Sequence, residues 1–314
     1  MRPRGGREKR WVVREGDGVT VADIVRRAGE PESAVDEGRV FLGRARVKSG
    51  TVSVKPGDEV KIGSATSGEQ ALVIWEQDGL VACAKPAGIP TVPDHRGSSH
   101  SLVALAAKAV RRRTEDLFVT SRLDREVSGV VVFATDPDAE GRLRRAREEG
   151  RYARRYVAIA AEADRLGSHA VRAQVWDAPI GAGKDPLHRA AGGPGAKPAQ
   201  TRWAIVARAG NFAMLAVEPQ TGRTHQIRVH ASHAGAPLVG DRDYGGPSRV
   251  TLPNGRIVAL TRIALHAARV TVPASGGESR IASAPIPPEL ARVWSDLGGG
   301  AEAWDRAMWC ELEP

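Results

Sequence analysis

SRLDREVSG, residues 121–129, runs directly into VVVFA at 130–134, and the pair of segments decides how the rest of the chain is read. The apolar run, rich in β-branched valine, reads as a buried strand. The polar residues ahead of it read as a loop that such a strand holds still. Inside that loop Asp124 stands between Arg122 and Arg125, whose opposite charge favours the ionised carboxylate. A fixed, ionised aspartate is a candidate nucleophile. The same residues also fit a solvated surface loop whose acid and bases merely pair with one another.

A chain of 314 residues has room for one large core and a smaller module, and a hydrophobic fraction of 41% is that of a globular protein. The net charge of +9 calls for a polyanionic partner, either nucleic acid or an anionic membrane surface. No apolar run approaches the roughly 18 residues of a membrane span. The opening MRPRGGREKR has no apolar segment of a secretory signal. A soluble, cytoplasmic protein with RNA or DNA as partner, and no membrane, is therefore expected. Two cysteines, Cys83 and Cys310, fit neither a zinc ribbon nor a disulfide framework, in keeping with a reducing compartment.

Outward from the loop, the chain divides by composition. Residues 1–12 are basic and read as a flexible arm. Residues 13–62 contain VTVADIVRRAG, with Val21, Ile24 and Val25 at helical spacing, then SAVDEGRVFLGRARV, then VSVKPGDEVKI, a strand-turn-strand around Pro56, Gly57 and Asp58. GSATSGEQ, 63–70, is small and polar enough for a linker. Residues 71–295 begin with two strands joined at Asp78 and Gly79 and a turn at Lys85, Pro86 and Gly88. They continue through RYVAIAA, TRWAIVA and FAMLAVEP, so an α+β fold with a mixed, largely antiparallel sheet flanked by helices is expected. Residues 296–314, with Trp304 and Trp309, are left unassigned. The arginines of DAEGRLRRAREEGRYARR, and Arg111 to Arg113, fit either an RNA-facing patch or solvated helix faces.

Four ordered segments carry a resemblance. SRLDREVSG resembles the HRLDxxTSG signature of the RluA-type pseudouridine synthase family, matching at Arg122, Leu123, Asp124, Ser128 and Gly129, with Ser121 in place of His and Val127 in place of Thr. ARRYVAIA resembles the second motif, a Lys or Arg ahead of a Tyr, through Arg155 and Tyr156. EPQTGRTHQIRVHASHAGAPLVGDRDYG resembles the third over nearly its whole length, and TRIALHAARV resembles the last. Residues 13–62 resemble an S-four-like RNA-binding module, with Arg26, Arg27, Arg39, Arg44, Arg46 and Lys48 for phosphate contact.

The resemblance implies an RNA uridine isomerase with the pseudouridine synthase fold, acting on structured ribosomal RNA or, second, tRNA, without cofactor or metal and as a monomer. It implies Asp124 as catalytic carboxylate, attacking sugar or base, and Tyr156 as a stacking face for a flipped uracil or as a proton relay. Thr221 or Thr224 is expected to cap a helix whose Ile227, Ala231 and Ala234 face inward and which ends at Gly235 and Pro237. Arg223, at the helix entrance, is expected to pair with Asp124, with Arg228 as the second choice. Arg122, Arg155, His225 and Leu265 are the further substrate-binding candidates. The spacing of His225, His230 and His233 does not suit a metal site, and GAGKD at 181–185 lacks the full phosphate-loop pattern. The alternative function is a catalytically inactive RNA-binding or ribosome-assembly protein.

Overall fold

The structure, a computed structural model, describes residues 9–30, 32–36, 40–43, 45–47, 49–63, 72–93, 101–167, 173–252 and 254–312. Lys9–Val12 (β1), Val21–Arg27 (α1), Ser33–Asp36 (α2), Val40–Leu42 (β2), Ala45–Arg46 (β3) and Glu59–Ile62 (β4) form a small unit whose sheet runs β1-β4-β2-β3. Thr20 caps α1 by a reciprocal bond with Asp23, and Val21, Ile24 and Val25 bury against Val40, Val60 and Ile62 as their spacing requires.

Two expectations change here. Lys9–Val12 is not free arm but an edge strand on β4, because Trp11 packs on this core and its indole N–H reaches Asp17. The segment after Pro56 pairs with β1 and β2 rather than folding back on residues 52–55. Arg26 is ion-paired with Glu32 and Asp23, and Arg27 with Asp17. Arg39, Arg44 and Lys48, the arm residues 1–8 and the linker residues 64–70 lie outside the described residues, as does the Arg46 side chain.

The larger unit begins with Leu72–Gln77 (β5), Leu80–Lys85 (β6), Leu102–Ala109 (α3), Phe118–Val119 (β7), Ser128–Ala134 (β8), Pro137–Glu148 (α4) and Ala153–Ala160 (β9). Gln174–Trp176 (β10), Ile180–Ala182 (β11), Arg189–Ala191 (β12), Thr201–Ala209 (β13), Phe212–Pro219 (β14) and Gln226–His233 (α5) follow. Arg249–Thr251 (β15), Ile257–Ala259 (β16), Leu265–Pro273 (β17), Ser279–Ser283 (β18), Pro288–Asp296 (α6) and Glu302–Trp309 (α7) complete it. The central sheet has ten strands, ordered β10-β13-β14-β9-β17-β8-β6-β5, with β18 on β17 and β7 on β8. Among its described pairings β8–β17 is parallel and the others antiparallel, so the fold is α+β with a mixed, mostly antiparallel sheet.

Every residue of β8 is buried because both its faces are covered. Val131 and Phe133 pack with Cys83 and Leu102 under α3, while Val130 and Val132 pack with Ala139 and Leu143 under α4. Burial pushes the Cys83 thiol up to about 12, so it is an inert core residue. The terminal residues left unassigned by sequence form α7, whose Trp304 and Met308 join the core beneath β9 and β14.

Where β8 meets β17, Gly129 has φ +124°, and a Cβ there would stand 2.2 Å from the Ala267 carbonyl oxygen. Gly129→Ala should cost roughly 2–4 kcal/mol, read as a lower urea midpoint at unchanged m. Beside it, Arg262 donates to Ser128 Oγ at 2.9 Å, Ser128 Oγ meets His266 Nδ1 at 2.7 Å, and His266 Nε2 faces the Ala284 carbonyl. Burial pushes His266 down to about 4 from 6.5. The unfolded chain takes up this proton near pH 6.5 and the folded chain only near 4. Stability from His266 is therefore complete above 6.5 and falls by up to about 3 kcal/mol as pH drops toward 4. Urea titrations across that window should show a shallower pH dependence in His266→Gln than in the wild type.

Candidate active site

Asp124 sits on the loop between β7 and β8, and backbone capture by the β6 turn fixes that loop. Lys85, at the end of β6, is 2% exposed and donates to the carbonyls of Pro86, Ile89 and Arg125. Burial pushes its pKa down to about 7, while three carbonyl acceptors match the three donors of an ammonium. The Arg125 carbonyl also accepts from the Gly88 amide at 2.7 Å, and the Arg125 guanidinium returns a bond to the Gly88 carbonyl. Thr91 Oγ1 closes the loop from the other side, accepting from the Leu123 amide at 3.0 Å and donating to the Leu123 carbonyl at 2.9 Å.

Asp124 opens into a cleft of about 1140 Å³. Arg122, Tyr156, Arg223, His225, Arg228 and Leu265 line the same cleft, so these expected site residues come together. Tyr156 and Leu265 lie on neighbouring strands, β9 and β17, in one cluster with Ile227 and Val127. The valine that replaces the family's Thr is thus packed beneath the cleft. Burial raises the Tyr156 phenol to about 12, so it is a protonated ring face. Ser121, in place of His, lies 3.4 Å from the Tyr152 hydroxyl.

The guanidinium on Asp124 is that of Arg228, not Arg223. Arg228 Nη1 lies 3.1 Å from Asp124 Oδ2, while Arg223 stays exposed at the rim with its Nε on the Pro198 carbonyl. The reason is where the helix begins. Neither Thr221 nor Thr224 caps α5: His225 occupies the cap with φ +58°, and buried Gln226 accepts from the Thr221 hydroxyl and the Arg223 amide while donating to Thr201. The first turn therefore presents Arg228 to Asp124. The helix ends as expected at Ala234, with Gly235 left-handed after it.

Arg155 is also corrected. Its side chain is buried on the opposite face of the sheet, bound to Glu218 at 2.7 Å and to the Ala307 carbonyl at 3.0 Å. Arg154 is the β9 arginine that lines the cleft.

Asp241, Asp243 and Tyr244 were given no individual role by sequence reasoning, although GDRDYG signalled them. Arg228 Nε and Nη2 both lie 2.8 Å from the Asp241 carboxylate, and Nη2 also lies 2.9 Å from Asp243. Burial works against the Arg228 charge, but the bond to Asp241 and the charges of Asp241 and Asp124 outweigh it and its pKa is raised. Arg228 also stacks over the Tyr244 ring, and Tyr244 Oη meets His225 Nδ1 at 2.8 Å. His225 Nε2 is 3.8 Å from Asp124, and burial holds this imidazole below its ordinary value. His230 turns away to Thr201 and the Ala178 carbonyl. Among the described residues no group of His, Cys, Asp and Glu is gathered as metal ligands, and no helix is long and apolar enough to cross a membrane.

A model of the RNA pseudouridylate synthase family matches residues 79–233. An uncharacterized RNA pseudouridine synthase of Bacillus subtilis is 32% identical over 76% of this chain and 79% of its own length. The chain belongs to the RNA pseudouridylate synthase family. A ribosomal large subunit pseudouridine synthase D of Nitrosomonas europaea is 33% identical, over 70% of this chain and 63% of its own. A human RNA pseudouridylate synthase domain containing 1 structure shares the fold, with a TM-score of 0.57, 22% identity and coverage of 83% of this chain and 100% of that one. As a pseudouridine synthase the chain is an RNA isomerase, and the cleft holding Asp124 is its candidate catalytic site.

Asp241→Asn should uncouple Arg228 from its rigid partner. The expected result is a stability loss of about 3–5 kcal/mol and slower pseudouridine formation under single turnover, measured with enzyme in excess over RNA at a temperature where the variant is folded.

Proposed function

We propose that this pseudouridine synthase converts specific uridines of structured large-subunit ribosomal RNA to pseudouridine, with tRNA the second candidate substrate, and that Asp124 is its catalytic carboxylate. The observation that carries this is the Arg228–Asp124 pair at 3.1 Å inside a cleft walled by Tyr156 and Leu265. The names of relatives that modify the large ribosomal subunit support the choice of RNA. The reading also takes residues 13–62 as an S-four-like RNA-binding module, residues 71–295 as the catalytic domain, and the enzyme as a cytoplasmic monomer.

The reaction breaks the bond between uracil N1 and ribose C1′, rotates the base and rejoins it through C5. Nothing is added or lost. The uridine first leaves its stack, at a cost of a few kcal/mol that loops and bulges reduce. Tyr156 then offers its ring face and Leu265 its apolar side chain to the uracil, while Arg122 and His225 line the same cleft. Attack at C1′, attack at C6 and abstraction of a sugar proton all require the carboxylate at the reacting nucleotide. Arg228 holds one oxygen of Asp124, and Oδ1 has no hydrogen-bond partner among the described residues.

Purified protein incubated with unmodified ribosomal RNA and tRNA transcripts should yield carbodiimide-dependent primer-extension stops. Asp124→Asn should abolish them, a loss of at least 10⁴-fold by analogy with removal of other catalytic carboxylates, while RNA binding survives. Tight binding with no stops on either RNA would favour the inactive RNA-binding reading instead.

A further inference from the structure

A series of hydrogen bonds leads to Asp124 from the turn between β11 and β12, and each step in it has a definite direction. The turn contains GAGKD, the segment that lacks the full phosphate-loop pattern. Its Asp185 carboxylate accepts from the amides of Leu187 and His188, and the Gly183 amide donates to the His188 carbonyl at 3.0 Å. A Cβ on Gly183 would stand 2.8 Å from the His188 carbonyl carbon, so this tight turn requires glycine there. The turn sets the position of the Arg189 amide, which donates to the Tyr244 hydroxyl oxygen at 3.0 Å.

An amide N–H can only donate, so the Tyr244 oxygen is the acceptor in that bond. Burial raises the Tyr244 phenol above its ordinary value, and it keeps its proton. Among the described residues one acceptor lies within reach of that proton, His225 Nδ1 at 2.8 Å. Nδ1 therefore carries the lone pair and Nε2 the hydrogen, because the bond made at one ring nitrogen sets the state of the other. Tyr244 is held in place, with its ring packed between the His188 ring at 6.0 Å and the Arg228 guanidinium at 4.8 Å. His225 itself sits at φ +58°, a strained conformation of the kind that clusters at functional sites.

His225 Nε2 lines the cleft 3.8 Å from Asp124 Oδ2, the same oxygen that Arg228 Nη1 holds at 3.1 Å, and it has no hydrogen-bond partner among the described residues. Catalytic hydrogen bonds are often long in a free enzyme and tighten once substrate is held. Burial keeps the imidazole below its ordinary value, so it donates without adding a second full positive charge beside Arg228. Both donors address Oδ2. Oδ1 is the oxygen left for the nucleotide.

We infer that Tyr244 and His225 are positioning residues for Asp124: the Arg189 amide orients the Tyr244 hydroxyl, the hydroxyl commits His225 to its Nε2–H form, and that N–H closes on Oδ2 beside Arg228, leaving Oδ1 as the reacting oxygen. This rests on reading Asp124 as the catalytic carboxylate.

The test uses the full chain with ¹⁵N-labelled histidine at about pH 8, above the ordinary imidazole value. Long-range proton–nitrogen correlation spectra distinguish a protonated ring nitrogen from a bare one, and His225→Gln identifies the His225 signals by their loss. The wild type should show Nε2 protonated and Nδ1 bare. Tyr244→Phe should mix the two tautomers, and Asp124→Asn should move the Nε2 signal more than the Nδ1 signal. Single-turnover pseudouridine formation on ribosomal RNA, with enzyme in excess, should slow by about 10–100-fold in Tyr244→Phe and in His225→Ala, the scale seen where an outer partner orients a functional histidine. RNA affinity, read by fluorescence anisotropy, should stay unchanged. His225→Gln, whose amide N–H can replace Nε2–H, should recover part of the His225→Ala loss.

A bare Nε2 in the wild type overturns the inference, whether or not any variant folds. So does a Tyr244→Phe enzyme with the wild-type tautomer or the wild-type rate, or a His225→Gln enzyme with no recovery. Spectra as expected, with no pseudouridine formed by the wild type on ribosomal RNA or tRNA, keep the Tyr244–His225 arrangement and reject the catalytic reading of the cleft. Pseudouridine formed by a wild type with a bare Nε2 does the reverse.

Discussion

The Arg228 guanidinium is a buried cation shared by three carboxylates, and the cleft at Asp124 depends on that arrangement. Asp241 is 1% exposed and takes two of its bonds, so the cation is oriented before Asp124 meets it. A bidentate pair fixes a plane as well as a distance. Its remaining donors then face Asp124 and Asp243 at set angles. Asp241 in turn depends on close backbone packing: Gly240 is left-handed and a Cβ on it would strike the Arg262 carbonyl, and one on Gly246 would strike that of Leu238. The turn that carries the acid can therefore be built only with glycine at these positions.

Asp124 reaches this cation from another part of the sheet. Its loop is tied to the β6 turn through Lys85 and Gly88, whereas Arg228 belongs to α5 on the β13–β14 side. The two halves meet at the parallel β8–β17 contact, where Ser128 faces His266 and Gly129 faces Ala267. β17 then pairs with β9 on its other edge, with Ala267 opposite Tyr156. Register thus places Tyr156 and Leu265, which line the cleft, on the strands just beyond the loop that ends at Ser128. A slip of one residue would turn Tyr156 to the other face.

Much of this was legible in the sequence, and the misses have definite causes. VVVFA read as a buried strand because its apolar run has no polar face, and the RLD loop, the tyrosine and the glycine-rich turns followed. Arg155 was misread although strand alternation decides it: a residue beside Tyr156 must face away from the cleft, and Arg154, two residues before Tyr156, is the one that lines it. Arg223 was misread for a reason that spacing does not display. The helix is capped from within by Gln226 after a left-handed His225, which moves its start past both threonines. Strand β1 was missed because its charged residues hide a single inward tryptophan.

Arg155 also explains why the terminal residues belong to the catalytic unit. Its guanidinium, 3% exposed, bonds Glu218 on β14, the Ala307 carbonyl of α7 and the Cys310 sulfur. Burying this cation is tolerable only because its donors are taken by a carboxylate and by a helix C-terminus, where the exposed carbonyls carry partial negative charge. The same bonds lock β9 to β14 and clamp α7 behind them. Tyr156, the next residue along β9, inherits that rigidity on the cleft face. A helix on the far face of the sheet therefore helps to hold the Tyr156 ring in the cleft.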